Sequence, residues 1–555
     1  ANLKNLILKN TETNPIGNAL NIELTSIPTK NIGAGTQTLL ALSNFEVTDS
    51  KIKFVNETNI AKTIDIIDVS NALGTELSNA VIESLIGEFS ARKDLTLSGT
   101  FNIGALKSFL TDSDKASEYK NGKINLTANE GTNIAYLYGS DLTLTNSILP
   151  LISELNAKGN ITLTNVKKTT AGEEKTPINK IAVGGKLTID NSKLNLQQEN
   201  PKNDLITPYG LTISNSQAII NLSSKIESTN RPISITDSTL DLVYHDNFII
   251  RSADYNVIIA RSTINFANSA IATPQVTPAG RIYGNPIKIS DSTINKISAI
   301  ASSTSHADSN IEVINSTLES TYEMQIDSMT SVKLDKTTIT GNGAQIIKAR
   351  NGDAKIINNS NIKMKGGSIS ANPIINAVIE LNNAENTAKI LIENSTLEVL
   401  DSLGSAPLNI SSKNLDLQTS SIKGTTGNLT ITDKINLEGT ASATKMDSIN
   451  GLISAKEISL SNASIGTIKT ATSKLTGITA DTIALQNNST LGNIAGDITA
   501  KTINMITNSQ LEGIINSITA DTILLENSSI KSVKTNLTAN DWIKATNSKI
   551  FFDNA

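Results

Sequence analysis

Short stretches in which apolar and polar residues alternate recur along most of the chain. Each is followed by Asn or Asp and then, in most cases, by Ser. Examples are LTLTNSIL from residue 142, LTISNSQAII from 211 and ILIENSTLEV from 390. Alternation of this kind predicts a β-strand with one buried face, because successive side chains point to opposite sides. Asn and Asp tolerate the left-handed backbone of a tight turn, so each stretch predicts a strand that ends in a corner.

The spacing of these stretches predicts a solenoid. They recur at roughly 19 to 30 residues, with one step near 35, which is the range of repeat architectures. A second landmark keeps the same step near the C-terminus, where ITADTI begins at 478, ITAKTI at 498 and ITADTI again at 518. Two or three short strands in each repeat fit the coils of a parallel β-helix. Leucine-rich repeats have a similar period, but their characteristic pattern of leucine positions is absent. We expect the helix to be right-handed, as parallel crossovers usually are.

Equivalent corners in stacked coils should form a ladder along the solenoid, with rungs about 4.8 Å apart. The corner residues that we assign from the sequence are Asn146, Asn191, Asn215, Asp237, Asp291, Asn315, Asn394, Asn488, Asn508, Asn527 and Asn547.

The places where the repeat is interrupted suggest the organisation of the chain. We expect an N-terminal capping region at 1–45, the β-helix at 46–541, and a final coil or truncation point at 542–555. Insertions are expected near 75–91, 104–122, 167–180 and 244–286. In the first of these, Leu77, Val81, Leu85 and Phe89 recur every four residues, which predicts a short helix that covers apolar surface.

The composition supports an all-β fold and excludes several classes of function. Aromatic residues make up only 3% of the chain, whereas β-branched and turn-forming residues are frequent. The absence of Cys excludes disulfides and thiolate metal sites. A net charge of −5 gives no basic surface for a nucleic-acid partner. No apolar run is long enough for a transmembrane helix, so we expect no integral membrane segment.

The sequence offers little material for catalysis. Its two histidines, His245 and His306, are far apart, and the chain contains no phosphate-binding glycine loop and no EF-hand. Neighbouring carboxylates such as Glu173 and Glu174 fall in expected insertions, and few aromatic residues are present to bind a long polysaccharide. We therefore predict a protein that is not an enzyme and has neither a metal site nor a cofactor.

One segment concentrates residue types that dominate binding interfaces. Arginine and tyrosine combine contact area with directional polar groups, and the segment 231–283 is rich in both. The alternative is that its bulky residues fill wider coils. The candidate binding residues are Arg231, Tyr244, His245, Arg251, Tyr255, Arg261, Arg281 and Tyr283.

The chain resembles the passenger regions of bacterial type V secreted proteins, namely the autotransporters and the two-partner-secreted filamentous adhesins. The resemblance covers roughly residues 45–550 and is carried by coils that lack Cys, are rich in Asn, Ser, Thr and Ile, and repeat the LTI-x-NS strand. It implies a right-handed β-helix that passes an outer-membrane translocator and is displayed on, or released from, a Gram-negative bacterium. The chain lacks the NPNL and NPNGI blocks of two-partner secretion and the GDSGS of serine-protease passengers.

The function that we expect from these observations is that of a secreted or surface-displayed adhesin. Its partner would be a host-cell surface protein or a glycan. One alternative is a structural subunit of a surface layer or filament that binds copies of itself. A second alternative is a passenger of the toxin type.

Overall fold

The computed structural model describes residues 94–108, 122–171, 174–197, 204–222, 225–244, 248–268, 280–302, 309–320, 324–341, 345–350, 352–365, 378–381, 389–400, 408–440, 444–469, 476–513 and 515–553. Within residues 1–93 it describes strands only. Every element in the described ranges is a β-strand. The chain forms two compact units, Ala1–Pro278 and Ala279–Ala555.

Most strands of the first unit are short, as alternation over four to six residues predicts, and the exceptions are Thr75–Ala91 with 17 residues and Leu95–Ser108 with 14. In chain order they are β1 (Asn5–Lys9), β2 (Asn21–Leu24), β3 (Leu40–Ala41), β4 (Asn44–Thr48), β5 (Lys51–Phe54), β6 (Asp65–Val69), β7 (Thr75–Ala91), β8 (Leu95–Ser108), β9 (Ile124–Ala128), β10 (Asn133–Gly139), β11 (Leu142–Thr145), β12 (Glu154–Ala157), β13 (Ile161–Thr164), β14 (Thr176–Ile178), β15 (Ile181–Val183), β16 (Leu187–Asp190), β17 (Lys193–Gln197), β18 (Leu205–Thr207), β19 (Leu211–Ser214), β20 (Gln217–Leu222), β21 (Lys225–Ser228), β22 (Ile233–Thr236), β23 (Thr239–Tyr244), β24 (Ile249–Ser252), β25 (Val257–Ala260) and β26 (Thr263–Asn268).

These strands stack in parallel on three faces, which makes the first unit a β-solenoid. The first sheet holds the strands that precede the Asn corner and runs through β9, β11, β13, β16, β19, β22 and β25. The second sheet follows the corner and contains β14, β17, β20, β23 and β26. The third sheet contains β10, β12 and β15, and further along β18, β21 and β24.

The second unit is built from strands of the same kind. In chain order they are β27 (Gly280–Tyr283), β28 (Ile287–Ser290), β29 (Thr293–Asn295), β30 (Ile297–Ala301), β31 (Ile311–Ile314), β32 (Thr317–Ser320), β33 (Met324–Ser328), β34 (Val332–Asp335), β35 (Thr338–Gly341), β36 (Gln345–Ala349), β37 (Ala354–Ile357), β38 (Asn361–Lys365), β39 (Val378–Leu381), β40 (Lys389–Glu393), β41 (Thr396–Leu400), β42 (Leu408–Gln418), β43 (Ser421–Glu438), β44 (Thr444–Asn450), β45 (Ile453–Ser454), β46 (Glu457–Ser461), β47 (Ala463–Lys469), β48 (Thr476–Thr479), β49 (Thr482–Gln486), β50 (Thr490–Leu491), β51 (Ile494–Thr499), β52 (Thr502–Ile506), β53 (Gln510–Leu511), β54 (Ile515–Glu526), β55 (Ser529–Thr546) and β56 (Lys549–Phe552).

The second unit is a parallel β-solenoid too. Its first sheet runs from β28 through β31, β34, β37, β40, β42, β43, β46, β49, β52 and β54 to β55. The longest strands, such as β43 and β55, pass around a corner and contribute to more than one sheet. The predicted all-β fold of stacked parallel strands is therefore confirmed.

The core of each unit is filled by the apolar half of the alternating pattern. In β19, Leu211 and Ile213 are buried, whereas Thr212 and Ser214 are half-buried on the outer side. Register pairing places Leu211 between Leu187 and Ile233 of the neighbouring coils. Burial of such aliphatic columns contributes most of the stabilisation, since a buried Leu or Ile is worth about 1.5–3 kcal/mol.

The corners have the backbone conformation that the choice of Asn and Asp implies. From Asn146 to Asn547, the corner residues assigned from the sequence have φ angles between 46° and 60°. Their side chains also bond between coils: Asn165 Nδ2 donates to Asn146 Oδ1 (2.8 Å) in the first unit, and Asn315 Nδ2 donates to Asp291 Oδ1 (2.7 Å) in the second.

The serine after the corner has its own structural role. Its side chain is buried and its hydroxyl joins two coils: Ser216 Oγ accepts the backbone N–H of Ser192 (3.0 Å) and donates to the carbonyl of Ser214 (2.6 Å). In the next coil, Ser238 Oγ accepts the backbone N–H of Ser216 (3.1 Å). These hydroxyls satisfy buried backbone groups at the place where the chain leaves one sheet for the next.

The predicted helix near 75–91 is wrong, because Thr75–Ala91 is the strand β7 and pairs with β8. A spacing of four residues is a multiple of the strand period of two, so the apolar pattern did not distinguish a strand from a helix. The register shifts three times along β7 and β8, which also hides a plain alternation from a reading of the sequence.

The expected insertions contain more solenoid than the sequence suggested. The strand β14 lies within 167–180, and β24, β25, β26 and β27 lie within 244–286. Most of 104–122 lies outside the described residues. Phe248 and Phe266 explain part of the aromatic content of the later segment: both are fully buried, and their rings pack at a centroid distance of 6.1 Å.

Candidate functional site

Two predicted binding residues of the first unit, Arg231 and Tyr255, lie at the same corner on neighbouring coils. Each stands two positions before the first residue of a first-sheet strand, and those first residues, Ile233 and Val257, are register partners. Tyr209 has the same offset from Leu211, which pairs with Ile233. Rungs of parallel strands are about 4.8 Å apart, so the three residues form a short column along the coils. We name Tyr209, Arg231 and Tyr255 the Tyr–Arg–Tyr column.

All three side chains of the column are available to solvent. Tyr209 is 57% exposed and Tyr255 is 39% exposed, and Arg231 is also in the exposed class. Within the described part of the chain, the Arg231 guanidinium makes no ion pair and no hydrogen bond. The charge of Arg231 is therefore not neutralised by a described neighbour.

The backbone beneath the column is held firmly. The carbonyl of Arg231 accepts hydrogen bonds from Ser228 Oγ (2.6 Å) and Ser252 Oγ (3.1 Å), and both serines are buried. Tyr209 N–H donates to the carbonyl of Gly185 in the preceding coil (3.3 Å). A Cβ at Gly185 would come within 2.5 Å of Asn160 Oδ1, so this rung must lack a side chain. The column therefore begins at Tyr209, next to a bare glycine.

A second row of side chains lies beside the column, on the outer side of the third sheet. It consists of Ile206, Glu227 and Arg251, which are register partners on the same three coils. Ile206 is 44% exposed. Glu227 is nearly buried and binds two cations: Lys225 Nζ lies 2.6 Å from Oε2, and Arg251 Nε lies 3.6 Å from Oε1. The carboxylate of this row, Glu227, is thus already paired. Beside the column, Arg231 and exposed Lys186, whose Cγ lies 4.0 Å from the position of a Cβ at Gly210, make no described ion pair and can receive a ligand anion.

Arg261 belongs to the corner ladder and not to the column. It occupies a corner with φ 48°, and its guanidinium binds the carboxylate of Asp237, the corner residue one coil before it. Arg251 is partly engaged, as described, with Glu227. The three arginines in the described part of the first unit therefore divide into one without a described partner, Arg231, and two that pair within the fold.

The remaining candidate residues are not brought into the column. Tyr244 ends β23, and its side chain, like the whole of His245, lies outside the described residues. Arg281 and Tyr283 are on β27 of the second unit, where both are half-buried. Arg281 Nε is buried and, among the described residues, has no hydrogen-bond partner.

Tyr209 was missed in the sequence because it lies upstream of the arginine-rich segment. Its position relative to the following strand could have identified it. The three strands are preceded by YG before LTI, RP before ISI and YN before VII, so that Tyr209, Arg231 and Tyr255 align when the strands are aligned. Residue density along the chain was a weaker guide than position within the repeat.

A separate polar cluster lies on the outer side of β10, β12 and the segment before β15. Glu154 accepts hydrogen bonds from Lys180 Nζ (2.9 Å), Tyr138 Oη (3.1 Å) and Asn156 Nδ2 (3.2 Å). Partial burial raises the pKa of Glu154, but these bonds and the Lys180 charge outweigh it and hold the pKa below its ordinary value. A carboxylate kept ionised in this way is unsuited to donating a proton as a general acid.

The described residues contain no group of three or more His, Asp or Glu side chains placed to hold a metal ion. They also contain no helix of the length and apolarity needed to cross a membrane. No known protein family, curated protein or solved structure matches the chain.

Proposed function

We propose that the chain is a secreted or surface-displayed adhesin of a Gram-negative bacterium. In this role the solenoid is a non-catalytic scaffold and the Tyr–Arg–Tyr column contacts a host-cell glycan or protein. The observation that carries the proposal is that Tyr209, Arg231 and Tyr255 are aligned and exposed on one corner of a rigid fold. Tyr and Arg are the side chains most enriched at the centres of binding interfaces.

The proposed route to the cell surface is that of a type V passenger, with an outer-membrane translocator as partner during secretion. The absence of Cys supports this route, because a chain without disulfides can be threaded through a membrane unfolded. A parallel solenoid also suits it, since each coil contacts only its neighbours and can fold as it emerges.

The experiment is a binding assay of the purified protein on cultured epithelial cells. The column variant Tyr209→Ala/Arg231→Gln/Tyr255→Ala should bind at least about tenfold more weakly than the wild type, because it removes the anchors of the interface. The matched control is Tyr136→Ala/Lys336→Gln, which removes an exposed tyrosine and an exposed cation away from the column. Equal binding by wild type, column variant and control would refute the column as the adhesive site.

A further inference from the structure

The side chains of the Tyr–Arg–Tyr column restrict the chemical class of ligand that it can bind. The guanidinium of Arg231 is planar, always charged, and presents paired N–H donors that match a carboxylate or a sulfate. Because no described residue pairs with it, the charge is available to a ligand. Its backbone carbonyl is fixed by Ser228 and Ser252, so a ligand meets an ordered backbone and only the side chain of Arg231 has to be immobilised.

The two tyrosines add flat surfaces on either side of this cation. Tyr209 and Tyr255 are one rung before and one rung after Arg231, and both rings are exposed. Aromatic rings offer an apolar face and a hydroxyl that donates and accepts hydrogen bonds. A sugar ring has the complementary form, with C–H groups on its faces and hydroxyls around its edge.

The surrounding charges limit how many anions the ligand can carry. Lys225 and Arg251 are already paired with Glu227, and exposed Asp254 stands beside Tyr255. The chain as a whole has a net charge of −5. Beside the column, Arg231 and exposed Lys186 make no described ion pair. They suit a ligand with one or two negative groups, whereas an extended polyanion needs more unpaired cations.

From these observations we infer that the Tyr–Arg–Tyr column binds a glycan through an acidic sugar residue. Arg231 holds its carboxylate or sulfate, and Tyr209 and Tyr255 contact the sugar rings. This inference rests on the proposed adhesin function, and it specifies the class of receptor.

The test measures affinity by calorimetry for three probes that share a sugar backbone: a disaccharide ending in glucuronic acid, its neutral counterpart ending in glucose, and a 6-sulfated form of the neutral disaccharide. The wild type should bind an acidic probe at least about tenfold more tightly than the neutral one, as expected for a charge-assisted bidentate contact. The preferred acidic probe then distinguishes a carboxylate ligand from a sulfate ligand.

Variants locate the interaction. Arg231→Gln should abolish the preference for acidic probes, and Arg231→Lys should retain part of it because the charge remains without the planar fork. Tyr209→Ala and Tyr255→Ala should weaken the binding of acidic and neutral probes to the same extent. Lys336→Gln is the control for charge, since it lowers the net charge by the same amount at an exposed corner of the second unit. All substitutions are at exposed side chains, and circular dichroism verifies that each variant is folded.

The inference is overturned if acidic and neutral probes bind equally to the wild type, or if Arg231→Gln and Lys336→Gln weaken acidic binding to the same extent. It is also overturned, with the adhesin function intact, if the protein binds cells through the column but binds no saccharide. Loss of the adhesin function has a different signature, namely no column-dependent binding to cells.

Discussion

The guanidinium of Arg261 binds the carboxylate of Asp237 through two hydrogen bonds, Nε to Oδ1 at 2.6 Å and Nη2 to Oδ2 at 2.7 Å. Both residues are corners of the first unit, one coil apart, with φ angles of 48° and 51°. The left-handed backbone conformation at this corner is unfavourable for arginine, because it costs a residue with a Cβ about 1–2 kcal/mol. The ion pair therefore replaces the amide ladder found at other corners, and it gives Arg261 a structural role within the fold.

The pair gives a prediction about pH. Hydrogen bonds from Arg261 have the largest effect on the pKa of Asp237 and lower it. Burial opposes them, and the charge of Arg261 lowers the pKa further by a smaller amount. A lowered folded-state pKa stabilises the fold above the ordinary carboxyl pKa of about 3.9, and this stabilisation is lost as pH falls through the lowered value. Arg261→Asn should raise the pKa of Asp237 toward the ordinary range, as measured by NMR titration of its carboxyl carbon.

The control for this titration is Arg251→Gln, which removes an arginine that does not bind Asp237. It should leave the pKa of Asp237 where it is in the wild type. An unchanged pKa in Arg261→Asn would contradict the assignment of Arg261 as the cause. The shift should also shrink in high salt, because both side chains are exposed.

The solenoid was predictable because its signal is repeated many times. Leu211 and Ile213 are ambiguous alone, but the same alternation before Asn191, Asn215 and Asp237 leaves few other folds. The column was only half predictable. The residue types of Arg231 and Tyr255 identify them as binding candidates. Tyr209 is found only when the strands of successive coils are aligned with one another. The ion pair of Arg261 is with a residue of the preceding coil, and only the strand register shows that the two are neighbours.

Lys336 provides a prediction about stability. It occupies a corner of the second unit with φ 51°, is exposed, and lies between coils whose corners are Asn315 and Asn358. Lys336→Asn should stabilise the unit by about 0.5–1 kcal/mol, since Asn tolerates this backbone better than Lys. The measurement is the midpoint of urea unfolding.

The matched control for Lys336 is Lys288→Asn, within the extended strand β28 of the same unit. There the change should be neutral or slightly destabilising, because Asn has a low preference for strands. A gain in stability at both positions would show that loss of a positive charge, and not backbone conformation, is responsible.

The buried serines were not predicted as structural residues, although the repeat is easily aligned on them. Ser is usually exposed, and a serine at a corner is expected to form hydrogen bonds within a surface turn. The serine side chain points inward because the residue before it has a left-handed backbone conformation. That conformation interrupts the alternation of inward and outward side chains. This consequence of the Asn corner is not visible in the alternation itself.

Ser216→Ala tests the role of these hydroxyls. It removes the acceptor of the Ser192 N–H and leaves that buried donor without a partner, which should cost about 1–3 kcal/mol. Hydrogen exchange of the peptide containing Ser192 should accelerate. Ser234→Ala, on the outer side of β22, makes the same chemical change with an expected effect within about 0.5 kcal/mol. Equal effects of the two substitutions would show that the buried hydroxyl has no special role.

The Glu154 cluster gives a second prediction about pH, with a double-mutant control. Lys180→Met removes the nearest cation but keeps an apolar stem, so burial should raise the pKa of Glu154 above its wild-type value. The wild-type pKa is lowered, so its stabilisation is present above the ordinary Glu value of about 4.3 and is lost as pH falls through the lowered pKa. Lys180→Met should therefore destabilise the first unit by about 1 kcal/mol at pH 7 and by less near pH 3.

Adding Glu154→Gln to Lys180→Met should recover most of the stability lost at pH 7, because the amide needs no counter-charge at this half-buried site. Urea unfolding of the wild type, both single variants and the double variant at pH 7 and pH 3 completes the cycle. A loss in Lys180→Met that is the same at both pH values would mean that Lys180 acts through the packing of its stem. A loss that follows the protonation of Glu154 would show that the lysine acts through its charge.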